Sequence, residues 1–341
     1  MKTILLSAVA ALALSTAAHA ADVTLRVHHF LSADSPVHAD LLTPWEKAVE
    51  EQSGGRIDVQ LFPSMQLGGK PPQLFDQARD GIVDVSWTLL GYTPGRFPVA
   101  EVFELPFMSG TAEQTTAALQ QFQAKYLVDE LAQVHPLLLH APAGYKFHMV
   151  AAPITSLDDL KGKKIRAPSR AMTDALNALG ATAVGMPVPE VAQALTTGVI
   201  DGAQIPWEVV GSLRVDEIAK FHSEVGTENG GMSTAIMALV MNKATYDGLP
   251  DELKKVIDDN SGANLAAIAG PLFDKVEAEE RQKAMDAGGT INVIPADQLQ
   301  PWVDAVQPVV DAWVKAMTDK GMDGQAMLDD ARAMLAAAGA Q

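Results

Sequence analysis

PQLFDQARDGIVDVSW (residues 72–87) and PEVAQALTTGVIDGAQ (residues 189–204) share one construction. In each, a proline suits the first helical turn, a glycine nine residues later suits the helix end, and a short apolar segment follows. Any helix–strand unit can resemble another by chance. We favour the alternative, in which two α/β domains of like construction face each other. The strand ends after Asp84 and Asp201 then lie opposite one another.

The N-terminal segments predict a βαβ unit. Residues 23–30 (VTLRVHHF) alternate between apolar and polar side chains, as expected for a strand, and residues 56–62 (RIDVQLF) alternate again. Between them, residues 38–55 place apolar side chains on one helical face and end at a Ser-Gly-Gly stop. Such a unit predicts parallel strands joined by a right-handed crossover.

The C-terminal part of the chain is predicted to be helical. Residues 251–288 form a long helical stretch with an expected kink at Gly270-Pro271, followed by helices over 301–317 and 325–337.

The length of the chain predicts two domains. A chain of 341 residues is longer than a single hydrophobic core usually supports. We therefore predict an α/β protein with two domains, each a mixed, mostly parallel sheet flanked by helices, joined by strands and a long helix. The expected boundaries are 21–143 plus about 232–270 for domain I, 144–231 plus about 271–300 for domain II, and 301–341 for helices packing across both.

The first 20 residues read as a cleavable signal peptide. Lys2 supplies the positive end, an apolar run follows, and Ala18-His19-Ala20 resembles a cleavage site. The sequence contains no cysteine, which excludes a disulfide framework, a lipid-anchor cysteine and thiolate chemistry. We therefore expect a soluble protein exported to the periplasm.

Charge and composition exclude several classes of partner. The formal net charge of −17 argues against nucleic acid and anionic membrane surfaces, since both require clustered lysine and arginine. No stretch after the signal is long and apolar enough to insert into a bilayer. An anionic ligand would need a local cationic site.

Familiar catalytic patterns are absent from the sequence. There is no HExxH, GxSxG, P-loop or GxGxxG pattern. His28 and His29 are adjacent in a predicted strand and point to opposite faces, so they cannot both ligate one metal. His148 is predicted to be a polar residue with internal partners rather than a general base. We expect no enzyme activity, no metal and no cofactor, although a secreted hydrolase remains the alternative from another class.

Arg166 is the strongest candidate for a ligand contact. It lies in KKIRAP (residues 163–168), a short strand that Pro168 ends. In open α/β sheets, ligands bind beyond the carboxyl ends of the strands. A guanidinium offers a planar fork that matches a carboxylate through two parallel hydrogen bonds. Lys146, at the start of another extended segment, could add a second positive charge.

The sequence resembles the extracytoplasmic solute receptors of tripartite ATP-independent periplasmic (TRAP) transporters. The resemblance spans nearly the whole mature chain and rests on an ordered set of segments. These are GGRIDVQLFPSMQLGG (54–69), GRFPVAEVFELPF (95–107), SLDDLKGKKIRAP (156–168), LGATAVGMPVPEVAQALTTGVIDGAQIPWE (179–208) and MNKATYDGLPDELKKVI (241–257).

This resemblance implies a role for individual residues. In that family the arginine of the GxKxR segment grips the ligand carboxylate, and it corresponds to Arg166. A second basic residue lies twenty positions earlier in many members, where this chain has Lys146. The family also implies two α/β domains hinged by a long helix, closing over an organic acid, and a membrane permease driven by an ion gradient.

The predicted cleft departs from that of receptors for hydroxylated sugar acids. Ile205 occupies a position that is frequently asparagine or another polar residue in relatives. The neighbouring Gln204 still offers one polar amide side chain to the predicted cleft. The remaining predicted wall residues are mostly aromatic: Phe30, Trp87, Leu89, Tyr92 and Trp207. Buried hydroxyls without partners would cost roughly 1–3 kcal/mol each, which disfavours a polyol.

We therefore predict a periplasmic binding protein for a small monocarboxylate with an aromatic or apolar body, delivered to a TRAP permease. A receptor for a C4-dicarboxylate, a hydroxy acid or a sugar acid is the nearest alternative. A binding protein of an ATP-driven transporter is another.

Overall fold

The computed structural model describes residues 21–227 and 229–340. The predicted signal peptide, residues 1–20, lies outside the described residues. The described chain forms two separate β-sheets flanked by helices, which confirms the predicted α/β class. Its strands are β1 Val23–His28, β2 Ile57–Phe62, β3 Val85–Leu89, β4 Val134–His140, β5 Lys146–Met149, β6 Lys164–Ala167, β7 Thr182–Gly185, β8 Gly202–Ile205, β9 Phe221–Val225, β10 Met237–Asn242 and β11 Thr290–Ile294.

The first sheet has the strand order β2-β1-β3-β10-β4. β1 pairs in parallel with β2 and β3, as the βαβ pattern predicts, and β10 is antiparallel to β3 and β4. Strand β1 ends at His28, two residues earlier than the alternating pattern suggests. The carboxyl ends of β1 and β3 therefore lie at one edge of this sheet, followed by Phe30 and Tyr92.

The second sheet has the strand order β11-β9-β5-β8-β6-β7. β6 lies between two parallel neighbours, with Arg166 opposite Val184 of β7 and Ala203 of β8. β5 is antiparallel to both β8 and β9, and β11 adds a parallel edge strand beside β9. The carboxyl ends of β6, β7 and β8 thus share one edge of the sheet.

Eleven α-helices flank the two sheets in the described part of the chain. They are α1 Thr43–Gln52, α2 Leu74–Arg79, α3 Ala112–Tyr126, α4 Arg170–Ala178, α5 Val191–Thr196, α6 Val215–Ile218, α7 Lys243–Asp247, α8 Asp251–Asp259, α9 Gly262–Asp286, α10 Gln300–Asp319 and α11 Gly324–Gly339. None of the helices among the described residues has the length and apolarity needed to cross a membrane.

The helical stretch predicted over residues 251–288 is two helices rather than one. It breaks between α8 and α9, where Gly262 has a φ of +56° that L side chains rarely adopt. α9 then runs through Pro271 to Asp286. The sequence predicts one stretch with a kink at Gly270-Pro271, whereas the interruption lies earlier, beside the left-handed Gly262.

Helix α10 packs into two hydrophobic cores. Its first half buries Trp302 and Val306 with the core under the second sheet. Its second half buries Val310 and Trp313 with a core that includes side chains of β4 and β10 from the first sheet. One continuous helix therefore joins the half of the protein that contains the first sheet to the half that contains the second.

An ion pair joins the second sheet to helix α9. The Lys146 ammonium, 2% exposed in β5, contacts the Glu277 carboxylate of α9. It also donates to the carbonyl oxygens of Gly144 at 2.6 Å and Asn229 at 2.8 Å. All three donors of the ammonium thus have partners within the protein, and Glu277 is a buried carboxylate whose charge depends on this lysine.

We expect Lys146→Met to destabilise the protein by about 3–5 kcal/mol, because it leaves Glu277 buried without its cation. The double variant Lys146→Met/Glu277→Gln should recover much of this loss, since no charge remains unpaired. Chemical denaturation measures both. The matched control is Lys255→Met, which breaks an exposed pair with Asp259 and should cost at most about 1 kcal/mol. Equal stability of Lys146→Met and Lys255→Met would contradict the expectation.

Candidate functional site

A cavity lies where the carboxyl edges of the two sheets meet. Its empty volume, including the part that is open to solvent, is about 330 Å³. Both sheets and their connections contribute to its wall, and we call it the Arg166 cavity. Its lining residues are Phe30, Leu31, Trp87, Leu89, Tyr92, Pro142, Tyr145, Arg166, Val188, Pro206, Glu208, Val209 and Met237.

Backbone carbonyl groups hold the Arg166 guanidinium in place. Its Nε donates to the carbonyl oxygen of Met186, just beyond β7, at 3.0 Å, and its Nη1 donates to that of Gln204 in β8 at 2.9 Å. The side chain is only 1% exposed. Its Nη2 has no hydrogen-bond partner among the described residues. A buried charged donor without a partner is costly, so this nitrogen points to a ligand.

This geometry bears on the predicted mode of carboxylate binding. The sequence suggests a guanidinium fork with two nitrogens free for the ligand. In the structure, Nε and one N–H of Nη1 donate to backbone carbonyl groups, and Nη2 is the nitrogen without a partner among the described residues. The reason is that β7 and β8 end beside Arg166, so carbonyl groups near their carboxyl ends face its side chain.

Two tyrosines lie close to Arg166. The Tyr92 hydroxyl oxygen accepts a hydrogen bond from the Val188 N–H at 2.8 Å, which leaves its own hydrogen available to donate. Burial raises the pKa of Tyr92, and the nearby Arg166 charge acts in the opposite direction. Burial likewise raises the pKa of Tyr145 well above its ordinary value, again opposed by Arg166. Both phenols therefore remain protonated hydrogen-bond donors.

Aromatic rings from the first sheet form the opposite wall. Phe30 lies 4.9 Å from Trp87 and 5.5 Å from Tyr92, measured between ring centroids. The Trp87 indole donates to Nε2 of His140 at 2.9 Å, which fixes the ring. Burial lowers the pKa of His140 to about 3, so this histidine is neutral. The wall is thus rigid, apolar and uncharged.

Five of the nine predicted site residues line this cavity: Phe30, Trp87, Leu89, Tyr92 and Arg166. Lys146 does not. It borders a different cavity and is saturated by Glu277 and two carbonyl oxygens. In this conformation the ammonium therefore offers nothing to a ligand beside Arg166.

The other three predicted residues are also directed elsewhere. Ile205 is fully buried in the hydrophobic core. The Trp207 indole donates to Glu224 at 2.9 Å, and its ring packs edge-on against His148 with the centroids 4.7 Å apart. Gln204 contributes its carbonyl oxygen to Arg166, while its side-chain amide is buried without a partner.

Residues that the sequence reasoning missed complete the cavity. Tyr145 precedes Lys146, and because neighbours in a strand point to opposite faces, the choice of Lys146 excluded Tyr145. Pro206 and Glu208 follow β8, and the signal that could have identified Glu208 is an acidic residue just past a strand end. Met237 lies opposite Leu89 at the start of β10.

His148 behaves as predicted from the sequence. It is fully buried, with its ring nitrogens 2.9 Å from Nδ1 of His222 and 3.1 Å from the Ile205 carbonyl oxygen. Among the described residues, no group of three or more histidine, aspartate or glutamate side chains is arranged to hold a metal ion.

The two halves of the protein touch beside the cavity. Arg170, at the start of α4, forms an ion pair with Glu101, which lies in a short 3₁₀ helix of the other half. A Cβ atom on Gly91 would lie 2.6 Å from the Ser169 Cβ, so the two segments are in close contact. Glu104 is buried at this contact, and burial raises its pKa to about 7, with a hydrogen bond from Ser169 acting the other way. The segments around Arg170 and Gly91 therefore bring the two halves into direct contact beside the cavity.

Known proteins are similar to this chain over most of its length. The family model for bacterial extracellular solute-binding protein, family 7, matches residues 27–316. A marine metagenome TRAP solute-binding protein specific for aromatic acid ligands, co-crystallised with 3-hydroxybenzoate, is 43% identical with a TM-score of 0.90, covering 93% of this chain and 99% of that chain. A TRAP solute-binding protein from Rhodoferax ferrireducens, with copurified benzoate, is also 43% identical with a TM-score of 0.90, covering 93% and 98%.

A third relative is the C4-dicarboxylate-binding periplasmic protein DctP of Rhodobacter capsulatus, which is 28% identical over 307 residues, 88% of this chain and 89% of the relative. The family model spans most of the chain, and the two solved structures are similar to this chain in both sequence and fold. The chain therefore belongs to bacterial extracellular solute-binding protein family 7 and is a solute receptor of the TRAP type.

Proposed function

We propose that this receptor binds a small aromatic monocarboxylate in the Arg166 cavity and delivers it to a TRAP membrane permease in the periplasm. The observation that carries the proposal is the unpartnered Nη2 of buried Arg166, facing a wall of aromatic rings. A carboxylate supplies the missing acceptor, and an aromatic body fills the apolar space at about 25 cal/mol per Å² buried. The aromatic acids bound by two relatives at 43% identity support the same ligand class.

Tyr92 completes the proposed carboxylate site. Because its oxygen already accepts the Val188 N–H, its hydrogen can point to an anion beside Arg166. One carboxylate oxygen then meets Nη2 and the other meets the phenol. This arrangement replaces the two-nitrogen fork expected from the sequence.

The charges around the cavity disfavour a dicarboxylate. Arg166 is the one basic residue among those that line it, and Glu208 is the one acidic residue. A second carboxylate would lack a cation and would lie in an apolar or acidic environment, which is unfavourable. Because the Rhodobacter capsulatus relative is a C4-dicarboxylate-binding protein, a panel of test ligands should also include C4-dicarboxylates.

We infer that the two sheets are the cores of two domains that close over the acid. The ligand would contact Arg166 from one half and the aromatic wall from the other, so its full set of contacts exists only in the closed form. Such differential contacts are what shift a population toward closure. Binding and release then require no bond to be made or broken, in contrast to the hydrolase alternative.

A thermal-shift panel of benzoate, 3-hydroxybenzoate, succinate and galacturonate tests the ligand class. Aromatic acids should raise the melting temperature, since a ligand at a hundred times its Kd stabilises by about 2.7 kcal/mol. Mass spectrometry should recover the acid unchanged after incubation. Stabilisation by succinate alone would overturn the assignment, and a hydrolysed ester or amide would favour the hydrolase.

Removing the Arg166 side chain tests the anchor. We expect Arg166→Ala to weaken benzoate binding by about 2–5 kcal/mol, because the carboxylate loses its charged partner. Arg166→Lys should also lose most of the affinity, since a shorter side chain with a point charge cannot reproduce the planar guanidinium that spans the two carbonyl groups and the ligand. Titration calorimetry measures the change, with circular dichroism to verify folding. Arg214→Ala, which removes an exposed guanidinium outside the cavity, is the control and should bind normally. Undiminished affinity in Arg166→Ala would contradict the proposal.

Gly91→Ala tests closure at a residue that does not itself line the cavity. The added methyl group would meet the Ser169 Cβ at 2.6 Å across the contact between the halves, and Leu89 Cδ2 at 2.9 Å and Glu104 Oε2 at 3.0 Å on its own side. The overpacking against Ser169 opposes the closed form and should weaken binding about tenfold or more, while the melting temperature of the ligand-free variant reports the cost of the contacts with Leu89 and Glu104. Gly185→Ala is the matched control, because a Cβ there meets open space. Equal affinities of the two variants would argue against closure at this contact.

A further inference from the structure

One polar group in the Arg166 cavity has no role in holding the carboxylate. Glu208 lies in a short 3₁₀ helix, Trp207–Val209, that follows β8 beyond Pro206. Its backbone N–H donates to Oε2 of Glu277 at 3.1 Å, which anchors the segment to α9. The residue is 5% exposed and lines the cavity, and its Oε2 has no hydrogen-bond partner among the described residues.

The surroundings give Glu208 no cation of its own. The nearby ammonium of Lys146 is occupied by Glu277 and by the carbonyl oxygens of Gly144 and Asn229. Burial raises the pKa of Glu208 well above its ordinary range, the Glu277 and Asp274 charges add to this, and Lys146 opposes it. Burial and the two neighbouring carboxylates therefore favour the carboxylic acid form of Glu208 over the carboxylate.

A buried carboxylic acid has one O–H donor and a carbonyl acceptor. The wall around it is otherwise formed by apolar side chains and the phenols of Tyr92 and Tyr145. A neutral acid does not repel the ligand anion held at Arg166. It can satisfy a hydroxyl group, which needs both a donor and an acceptor, in a place where the ligand's ring would lie.

We propose that Glu208 hydrogen-bonds a hydroxyl group on the ring of the ligand and so makes the receptor selective for hydroxylated aromatic acids over unsubstituted ones. The inference rests on the proposed function, because it assumes an aromatic acid anchored at Arg166. A site that offers a buried hydrogen-bonding group discriminates against an analogue that cannot use it.

The test compares benzoate with 2-, 3- and 4-hydroxybenzoate by titration calorimetry at pH 7. We expect one hydroxybenzoate to bind the unmodified protein about tenfold more tightly than benzoate, the range of one net hydrogen bond. Glu208→Met, which keeps the length of the side chain and removes its polar atoms, should erase this preference, so that the four acids bind the variant with affinities within about threefold of one another. Glu208→Gln should keep the preference, because an amide also offers a donor and an acceptor.

The outcomes separate this inference from the proposed function. If the protein binds none of the four acids, the proposed function fails and the role of Glu208 with it. If all four bind equally, or if Glu208→Met keeps the preference, the aromatic-acid receptor stands and the Glu208 proposal is overturned. Loss of benzoate binding in a folded Glu208→Met variant would overturn it as well, because Glu208 would then serve the anchor.

One further ligand tests the charge state of Glu208. 3-(Aminomethyl)benzoate carries a carboxylate for Arg166 and an ammonium on the ring substituent, near the place of the 3-hydroxyl group. An ionised Glu208 would favour it, whereas a neutral acid gives no such preference. Binding of 3-(aminomethyl)benzoate more tightly than of the best hydroxybenzoate would overturn the proposal, and weaker binding supports it.

Discussion

The hydrogen bonds from Arg166 to two backbone carbonyl groups are the constraint on which the site depends. They fix the guanidinium between β7 and β8 and leave one nitrogen directed at the cavity. A flexible arginine would lose conformational entropy each time it met a ligand, whereas this one is ordered before binding. The parallel arrangement of β6, β7 and β8 makes this possible, because it brings their carboxyl ends to the same edge.

The apolar wall supplies what the anchor lacks. A single charged contact cannot distinguish benzoate from acetate, but the rings of Phe30, Trp87 and Tyr92 offer a surface that only a larger apolar body can bury. The position of the Trp87 ring is also fixed, because its indole N–H donates to a neutral His140 within the protein and not to solvent. Anchor and wall belong to different sheets, so in the closure we propose, the contacts that favour an aromatic acid would also favour the closed form.

The sequence predicted those features that depend on local pattern. Arg166 lies near the carboxyl end of β6, Trp87 within β3 and Tyr92 just beyond it, and all three line the Arg166 cavity, as the strand pattern predicts. Lys146 could not be interpreted locally, since its partner Glu277 is 131 residues away in α9. Trp207 was assigned to the cleft for its aromatic character, but a hydrogen bond to Glu224 in β9 draws it to the other side. Long-range pairing of buried polar groups decides which face a side chain takes, and periodicity does not encode it.

The pairing of buried charged residues explains how a chain with so many acidic residues can bind an anion. The buried lysine of the second sheet is neutralised by Glu277, and the partly buried Arg281 is paired with Glu224, so neither contributes an open positive site. Glu208, without a cation, is driven toward its neutral form by burial and by Glu277. In the described chain, the unpartnered nitrogen of Arg166 is thus a buried positive donor whose field no adjacent carboxylate cancels. Because Lys146 pairs with Glu277 and not with Glu208, the protonated form of Glu208 is favoured, and the cavity can accept an acid beside Arg166.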